Sequence, residues 1–238
     1  MTTHTVSTRT EWLRQRVALL EREKQLTRER DELAAARRAL PWVRIDKAYT
    51  FDTDAGEASL ADLFGSRSQL LVYHFMFAPQ AERPCKSCSY WADHFAGAVP
   101  HLNERDVTFL AISRAPLAKL DAFKRKQGWT FDWVSQGDGD FNYDFGVSFR
   151  ESEHAAGKSV YNYAPMSPER APDAPGLSAF KKDENGAIFH TYSTFGRGIE
   201  LANTTYQLLD LVPDGRNEGA LAYSMSWVKY GYELAQAR

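Results

Sequence analysis

The spacing of apolar and polar positions changes several times along this chain, and each change marks an element. Between residues 10 and 40, Trp12, Leu19, Leu26, Leu33 and Leu40 recur every seven residues in a charged background. That spacing predicts one long helix. A coiled coil needs two apolar positions per heptad, and here the second seam holds Arg16, Glu23 and Arg30. Two readings stand: an amphipathic helix laid on its own domain, or a dimer arm. Pro41 ends the helix, because the residue before a proline avoids helical backbone angles.

From Trp42 the pattern is that of an α/β domain. A strand, a turn at Asp54, Ala55 and Gly56, and a short helix around residues 60–64 lead into residues 70–77. That run is almost wholly apolar or aromatic, as a central strand buried on both faces should be. Residues 107–113 (VTFLAIS) predict a second buried strand. Ser113 is then placed to cap a helix from Pro116 to Gly128 that carries Leu117, Leu120 and Phe123 on one side. Residues 131–136 make a short strand, and 137–176 read as loops. LSAFKKDENGAIFHTYS predicts two strands around Asn185 and Gly186, a strong hairpin-turn dipeptide. A last helix covers about 198–211, stopped by Pro213. The tail holds Tyr223, Trp227, Tyr230 and Tyr232, and so aromatic a tail is expected to pack on this subunit or another. Strand–helix alternation gives parallel strands with helical crossovers, and the hairpin adds antiparallel pairing. The expected fold is a mixed α/β sheet flanked by helices. The expected division is 1–40 as a helical extension, 41–213 as the α/β domain and 214–238 as the tail.

Composition narrows the function. The 43% hydrophobic content supplies a sizeable core, and 29 basic against 31 acidic residues leave a net charge of −2. No basic excess points to nucleic acid or an anionic membrane, so neither is an expected partner. The N-terminal segment lacks the apolar core and cleavage site of a secretory signal, and no apolar run approaches the ~18 residues of a membrane span. A cytoplasmic protein is expected. Structural disulfides are rare there, so the 2 cysteines, Cys85 and Cys88, are expected to be catalytic or metal-binding.

A helix starting near Cys85 sets Cys88, Ala92, Phe95 and Val99 on one apolar face. It leaves Cys85 at the helix start, where free N–H groups and the dipole favour a thiolate. Arg83 and Lys86 are adjacent cations that push the same way. An exposed, activated Cys85 and a recessed Cys88 make the division of labour that a dithiol oxidoreductase needs. Zinc is the first alternative, with His94 and His101 downstream. The resulting spacing matches no common zinc site, and on a continuous helix His94 points roughly 180° away from Cys85. Two unconnected buried cysteines are the plainest alternative. No metal or cofactor is expected.

Supporting residues carry two readings each. His74, in the central strand, could accept the proton of Cys88, although a packed, hydrogen-bonded core histidine is the favoured reading. Arg114 lies at the C-terminal end of a strand, where open α/β sheets place ligands. It could bind an anionic substrate, steady a thiolate or form a surface salt bridge. Asp138, Asp140, Asn142 and Asp144 read as a structured loop rather than a calcium site, since no closing Glu completes that pattern. Gly196, Arg197 and Gly198 have weak anion-site character. His190 and Tyr192 read as packing residues.

Several long segments also resemble known proteins. PGLSAFKKDENG is similar to the thioredoxin stretch that begins with a cis-proline and enters the hairpin. ELAAARRALPWVRIDKAYTF, SQLLVYHFMF, CKSCSYWADHF, AISRAPLAKL, DFNYDFGVSF and FHTYSTFGRG resemble one bacterial family, domain of unknown function 899, described as predicted dithiol-disulfide oxidoreductases. The resemblance runs from about residue 10 to 213. It implies a thioredoxin-like fold, Cys85 and Cys88 as the dithiol, and Pro175 as a cis-proline lining the substrate site. The expected substrate is a disulfide-containing protein or a small thiol. A homodimer built through the helix or the tail is expected. The Trp-Cys-Gly-Pro-Cys form of thioredoxin itself is missing. A peroxidase is the rival within the fold, but its P-x-x-x-[ST]-x-x-C pattern fails at both cysteines: Ala78 and Glu82 precede Cys85, and Ala81 and Cys85 precede Cys88. A non-catalytic scaffold is the rival of another class.

Overall fold

The computed structural model describes residues 5–167, 169 and 171–236. The chain divides into two units, Met1–Pro41 and Trp42–Arg238. The first is a single helix, α1 (Arg9–Arg38), capped by Thr8, whose hydroxyl accepts the Glu11 N–H. None of its residues is buried, and Trp12, Leu19, Leu26 and Leu33 are exposed. Pairs such as Glu11 with Arg14 and Glu21 with Lys24 lie one turn apart on its surface, each worth a few tenths of a kcal/mol.

The second unit begins with β1 (Val43–Arg44), β2 (Thr50–Thr53), β3 (Gly56–Ser59) and β4 (Gln69–His74). Then come α2 (Lys86–Ala92), α3 (Val99–Asn103), β5 (Val107–Ser113), α4 (Leu117–Gln127) and β6 (Asp132–Ser135). The 137–176 region is less bare than its composition suggests. It holds α5 (Phe141–Asp144), α6 (Glu151–Ala155) and a hairpin of β7 (Val160–Tyr161) with β8 (Ala164–Pro165). The chain closes with β9 (Gly176–Lys182), β10 (Ile188–Phe195), α7 (Thr204–Leu209) and α8 (Gly231–Gln236).

Eight strands form one sheet in the order β1-β10-β9-β4-β5-β6-β2-β3. The central strand β4 is parallel to β5 and antiparallel to β9, and β10 folds back antiparallel on β9. A parallel pair joined by a helical crossover, with an antiparallel hairpin on the other side of the first strand, is the core of a thioredoxin-like fold. The expected fold class is therefore present. Side chains alternate across β4. Leu70 and Val72 join Phe51, Phe64, Leu110, Ile112 and Phe180 on one face. Leu71 and Tyr73 face Cys88, Trp91, Phe95, Phe109 and Trp133 on the other.

Local differences from the predicted elements have physical causes. The strand predicted over 70–77 leaves the ladder after His74, and the Phe75 carbonyl instead accepts the Ser113 hydroxyl at 2.7 Å. Ser113 is thereby committed to the sheet, and Pro116 stands at the N-cap of α4 without a side-chain bond. The turn at Asp54 to Gly56 closes a hairpin onto an added strand, β3, before the short helical turn at residues 62–64. The last helix is interrupted: residues 196–202 form a 3₁₀ segment, and the Asn203 side chain caps α7 by accepting the Tyr206 N–H at 3.0 Å. The tail packs on its own unit, burying Val228 and Tyr230.

Candidate functional site

The end of β4 and the start of α2 together make the dithiol site. The Cys85 N–H donates to the Met76 carbonyl at 3.1 Å, which closes the 76–85 segment into a loop. α2 then starts where the thiol spacing predicted. Cys85 is its N-cap, with extended backbone angles, and its sulfur accepts the Cys88 N–H at 3.4 Å. A thiol thus fills the position usually held by a hydroxyl or carboxylate oxygen. The Ser89 hydroxyl donates to the Cys85 carbonyl at 3.0 Å and fixes the turn. Cys88, Ala92 and Phe95 are buried as one face, although the helix stops at Ala92 and resumes only at α3. Cys85 is partly exposed, Cys88 is buried, and both are free thiols.

Their acidities diverge. Cys85 is lowered from 9.0 to about 6, first by the hydrogen bond from the Cys88 thiol, then by the backbone of Cys88 and Ser87 and the Ser87 hydroxyl, with burial opposing. Cys88 is pushed well up, first by burial and then by donating to Cys85. A backbone bond from Met76 and the Tyr73 hydroxyl pull Cys88 the other way. The shifts run in the expected directions, and the N–H groups of the helix start contribute as expected, behind the Cys88 thiol; the cations do not. Hydrogen-bond donors at the helix start stabilise the thiolate, whereas the cations are engaged elsewhere. Arg83 pairs with Glu233 at 2.7 Å, donates to the Tyr232 hydroxyl at 2.5 Å and lies 4.4 Å from the Tyr230 ring centre. Lys86 sits 5.9 Å from that ring centre.

The other expected residues are dispersed. His74 points to the opposite face of the sheet. Its Nδ1 meets Asn142 Oδ1 at 2.9 Å, its Nε2 meets the Ser178 hydroxyl at 2.8 Å, and it stacks on Phe141 and Phe145. Strand alternation makes it unable to take a proton from Cys88. Burial lowers it to about 4, so the imidazole is neutral at pH 7. Arg114 forms a two-pronged pair with Asp173 at 2.9 and 2.8 Å and donates to the Tyr143 hydroxyl. It is an internal brace, and neither a surface bridge nor a free anion site. No cis peptide bond occurs among the described residues, so Pro175 is not the cis-proline that the resemblance implied. The backbone on both sides of that bond is held: the Ala174 N–H donates to the Val147 carbonyl, and the Pro175 carbonyl accepts the Tyr161 hydroxyl at 2.7 Å. His94 meets the Thr205 hydroxyl, and no group of three metal-ligating side chains occurs among the described residues. Asp140 and Asp144 hold Lys47, and Arg197 pairs with Glu200.

Two contributors were missed. Tyr73 is fully buried on the dithiol face, and its hydroxyl donates to the Cys88 carbonyl at 3.4 Å. The period-two rule along the strand was enough to find it. Tyr230 comes from far downstream of Cys85; its hydroxyl donates to the Pro84 carbonyl at 2.6 Å. No local pattern could have placed it there.

The family model described as "Bacterial protein of unknown function (DUF899)" matches residues 1–233, and the chain belongs to that family. No curated protein matches. Among solved structures, the chain is similar to peroxidoxin BcpB from Mycobacterium tuberculosis, with 14% identity, a TM-score of 0.48 and coverage of 70% of this chain and 92% of that one. It is similar to peroxiredoxin Q from Xanthomonas campestris, with 16% identity, a TM-score of 0.47 and coverage of 71% and 94%. It is also similar to the mitochondrial 2-Cys peroxiredoxin of Plasmodium falciparum, with 12% identity, a TM-score of 0.42 and coverage of 71% and 92%.

Proposed function

We propose that this protein is a dithiol–disulfide oxidoreductase in which Cys85 attacks and Cys88 resolves. The observation that carries the reading is geometric: Cys85, partly exposed, is the N-cap of α2 with its sulfur accepting the Cys88 N–H at 3.4 Å, and Cys88 is buried one turn further in. Near neutral pH Cys85 is largely thiolate and Cys88 holds its proton. The Cys85 thiolate bonds to one sulfur of a substrate disulfide and expels the other as a thiolate. Cys88 then passes its proton to the expelled substrate thiolate, which leaves as a thiol, and attacks Cys85 Sγ. The second substrate thiolate leaves, and a Cys85–Cys88 disulfide remains. Two electrons pass from the dithiol to the substrate. The substrate is a disulfide-bearing protein or a small thiol's disulfide, met in a reducing compartment such as the cytoplasm. Among the described residues no helix is long and apolar enough to cross a membrane.

The test is rapid mixing of the reduced protein with a small disulfide at pH 7. Stoichiometric release of two thiol equivalents, faster than with a model thiol, supports the reading. A slow reaction typical of an unactivated thiol points to a scaffold. Rapid consumption of hydrogen peroxide without disulfide exchange points to a peroxidase. The exposed heptad row of α1 supports self-association through that helix. Light scattering of the full chain and of a chain lacking residues 1–38 tests it: an unchanged number of chains per particle excludes α1 as the interface.

A further inference from the structure

A cavity of about 530 Å³ has Arg83, two residues before Cys85, in its wall; neither cysteine lines it. Four other charged side chains line it: Lys119, Lys126, Glu82 and Glu233. Three cations against two carboxylates leave a cationic balance. Lys119 is occupied by the Pro79 and Ala81 carbonyls at 2.7 and 3.1 Å. Lys126 lies 3.8 Å from the ring centre of Tyr232. Arg83 differs in bonding a carboxylate, that of Glu233, at 2.7 Å.

Glu233 is delivered by the C-terminal segment. Tyr230 is buried and anchored on the Pro84 carbonyl, next to Cys85 in sequence. It stacks on Tyr232 with centroids 5.6 Å apart, and the Tyr232 N–H is held by Gln127 Oε1 at 3.1 Å. The backbone at Gly231 passes so close to Gln127 and Asp93 that a Cβ there would lie 3.1 and 3.3 Å from their oxygens. The strap therefore brings one carboxylate to Arg83, two residues before the nucleophile, in the wall of a cavity with room for a small molecule.

We propose that this cavity is the substrate cleft, that it takes a low-molecular-weight disulfide bearing a carboxylate, and that Glu233 occupies the place on Arg83 that the substrate carboxylate takes. This rests on the dithiol reading above and adds the substrate class. On binding, the substrate carboxylate exchanges with that of Glu233 on the guanidinium. The substrate disulfide then lies by Cys85, whose thiolate forms the mixed disulfide and expels one thiolate. Cys88 completes the two-electron step as described. Arg83 is a substrate-positioning residue here and takes no proton or electron.

The experiment is single-turnover kinetics of the reduced full chain with two probes: dithiobis(nitrobenzoate), which carries two carboxylates, and uncharged dithiodipyridine. Glu233→Gln should raise the second-order rate constant for the dicarboxylate probe about threefold to fivefold, the scale of one exposed ion pair. It should leave dithiodipyridine within about twofold. Arg83→Gln should slow the dicarboxylate probe by a similar factor and flatten its salt dependence. Glu82→Gln removes the same charge from the same cavity without touching Arg83, and should accelerate the dicarboxylate probe clearly less than Glu233→Gln. Equal acceleration by both Glu variants reduces the effect to net charge and overturns the proposal. Parallel changes with both probes overturn it as well, since they report the thiol and not the cleft. If the wild-type protein reacts slowly with both probes, the dithiol reading itself fails, and that result is distinct from a fast but charge-blind reaction.

Discussion

β4 turns Tyr73 to one face of the sheet and His74 to the other, and the two faces use polar groups in different ways. On the His74 face a hydrogen-bonded chain runs Asn142, His74, Ser178, Ser193, His190, with contacts of 2.9, 2.8, 2.8 and 2.7 Å. Burial holds the His74 imidazole neutral, and its ring is sandwiched among phenylalanines. A satisfied buried network of this kind specifies a core. On the Tyr73 face the sulfur of Cys85, partly exposed, accepts the N–H of Cys88, whose own thiol is buried. Proton and charge are divided unequally between them. Burial alone makes a residue structural. Chemistry needs a pair whose protonation states are pushed apart, with one member open to solvent.

The comparison is broken most sharply by removing one sulfur. Cys85→Ser should abolish exchange with any disulfide, whereas Cys88→Ser should attack once and stall as a mixed disulfide visible by mass spectrometry. Iodoacetamide should label Cys85 first in the wild type, and its selectivity over Cys88 should widen as the pH falls toward 6. If both cysteines alkylate equally across that range, the two faces do not differ in the way described.

Stability against pH separates the faces next. The folded pKa of His74, about 4, lies below its unfolded value of 6.5. The unfolded chain therefore binds the proton first. This contribution is complete above pH 6.5 and is lost as the pH falls toward 4, by about 3 kcal/mol in all. His94 and His190 are also lowered by burial and add in the same sense. Cys85 falls from 9.0 to about 6 on folding, so its contribution is complete above pH 9 and is lost between 9 and 6. Cys88 is raised, so its contribution is complete below the unfolded thiol pKa and is lost above it. Denaturant titrations from pH 4 to 9 should show Cys85→Ser flattening the upper window alone and His74→Gln flattening the lower one alone. His74→Gln should leave the alkylation midpoint of Cys85 in place. A shift of that midpoint would mean that the faces communicate.

What the sequence could disclose follows the range of each interaction. The long helix, the buried strands and the hairpin at Asn185 and Gly186 rest on local periodicity and turn chemistry, and they stand. The start of α2 at Cys85 was legible because the apolar face from Cys88 to Phe95 needs a helix there. The continuous helix over 198–211 was not, because Asn203 caps a new helix in the middle of it. Arg83 and Lys86 read as thiol-tuning cations only while the strap is out of sight. Glu233 lies 150 positions from Arg83, and no spacing rule reaches that far. Arg114 has the same history with Asp173. Charge near a nucleophile in sequence is a weak guide until its partner is known, whereas hydrogen bonds from the nucleophile's own helix turn can be read directly.

The smallest effect sharpens the comparison at its pivot. Tyr73 is the dithiol-side neighbour of His74, and its hydroxyl is among the groups that lower Cys88 against burial. Tyr73→Phe keeps the ring that packs on Phe75 and Phe95 and removes only the donor. A neutral hydrogen bond is worth about 1 kcal/mol, close to one pKa unit. Cys88 should therefore titrate still higher, and resolution of the mixed disulfide should slow by about fivefold. The first attack, made by Cys85, should stay within about twofold, because its thiolate draws on Cys88 and Ser87 instead. Stopped-flow traces with dithiodipyridine separate the two steps, as the first and second thiol equivalents appear in sequence. Slowing of the second phase alone assigns the Tyr73 hydroxyl to the resolving thiol. Equal slowing of both phases would make Tyr73 a packing residue, and the functional contrast between the two faces would then rest on the sulfurs alone.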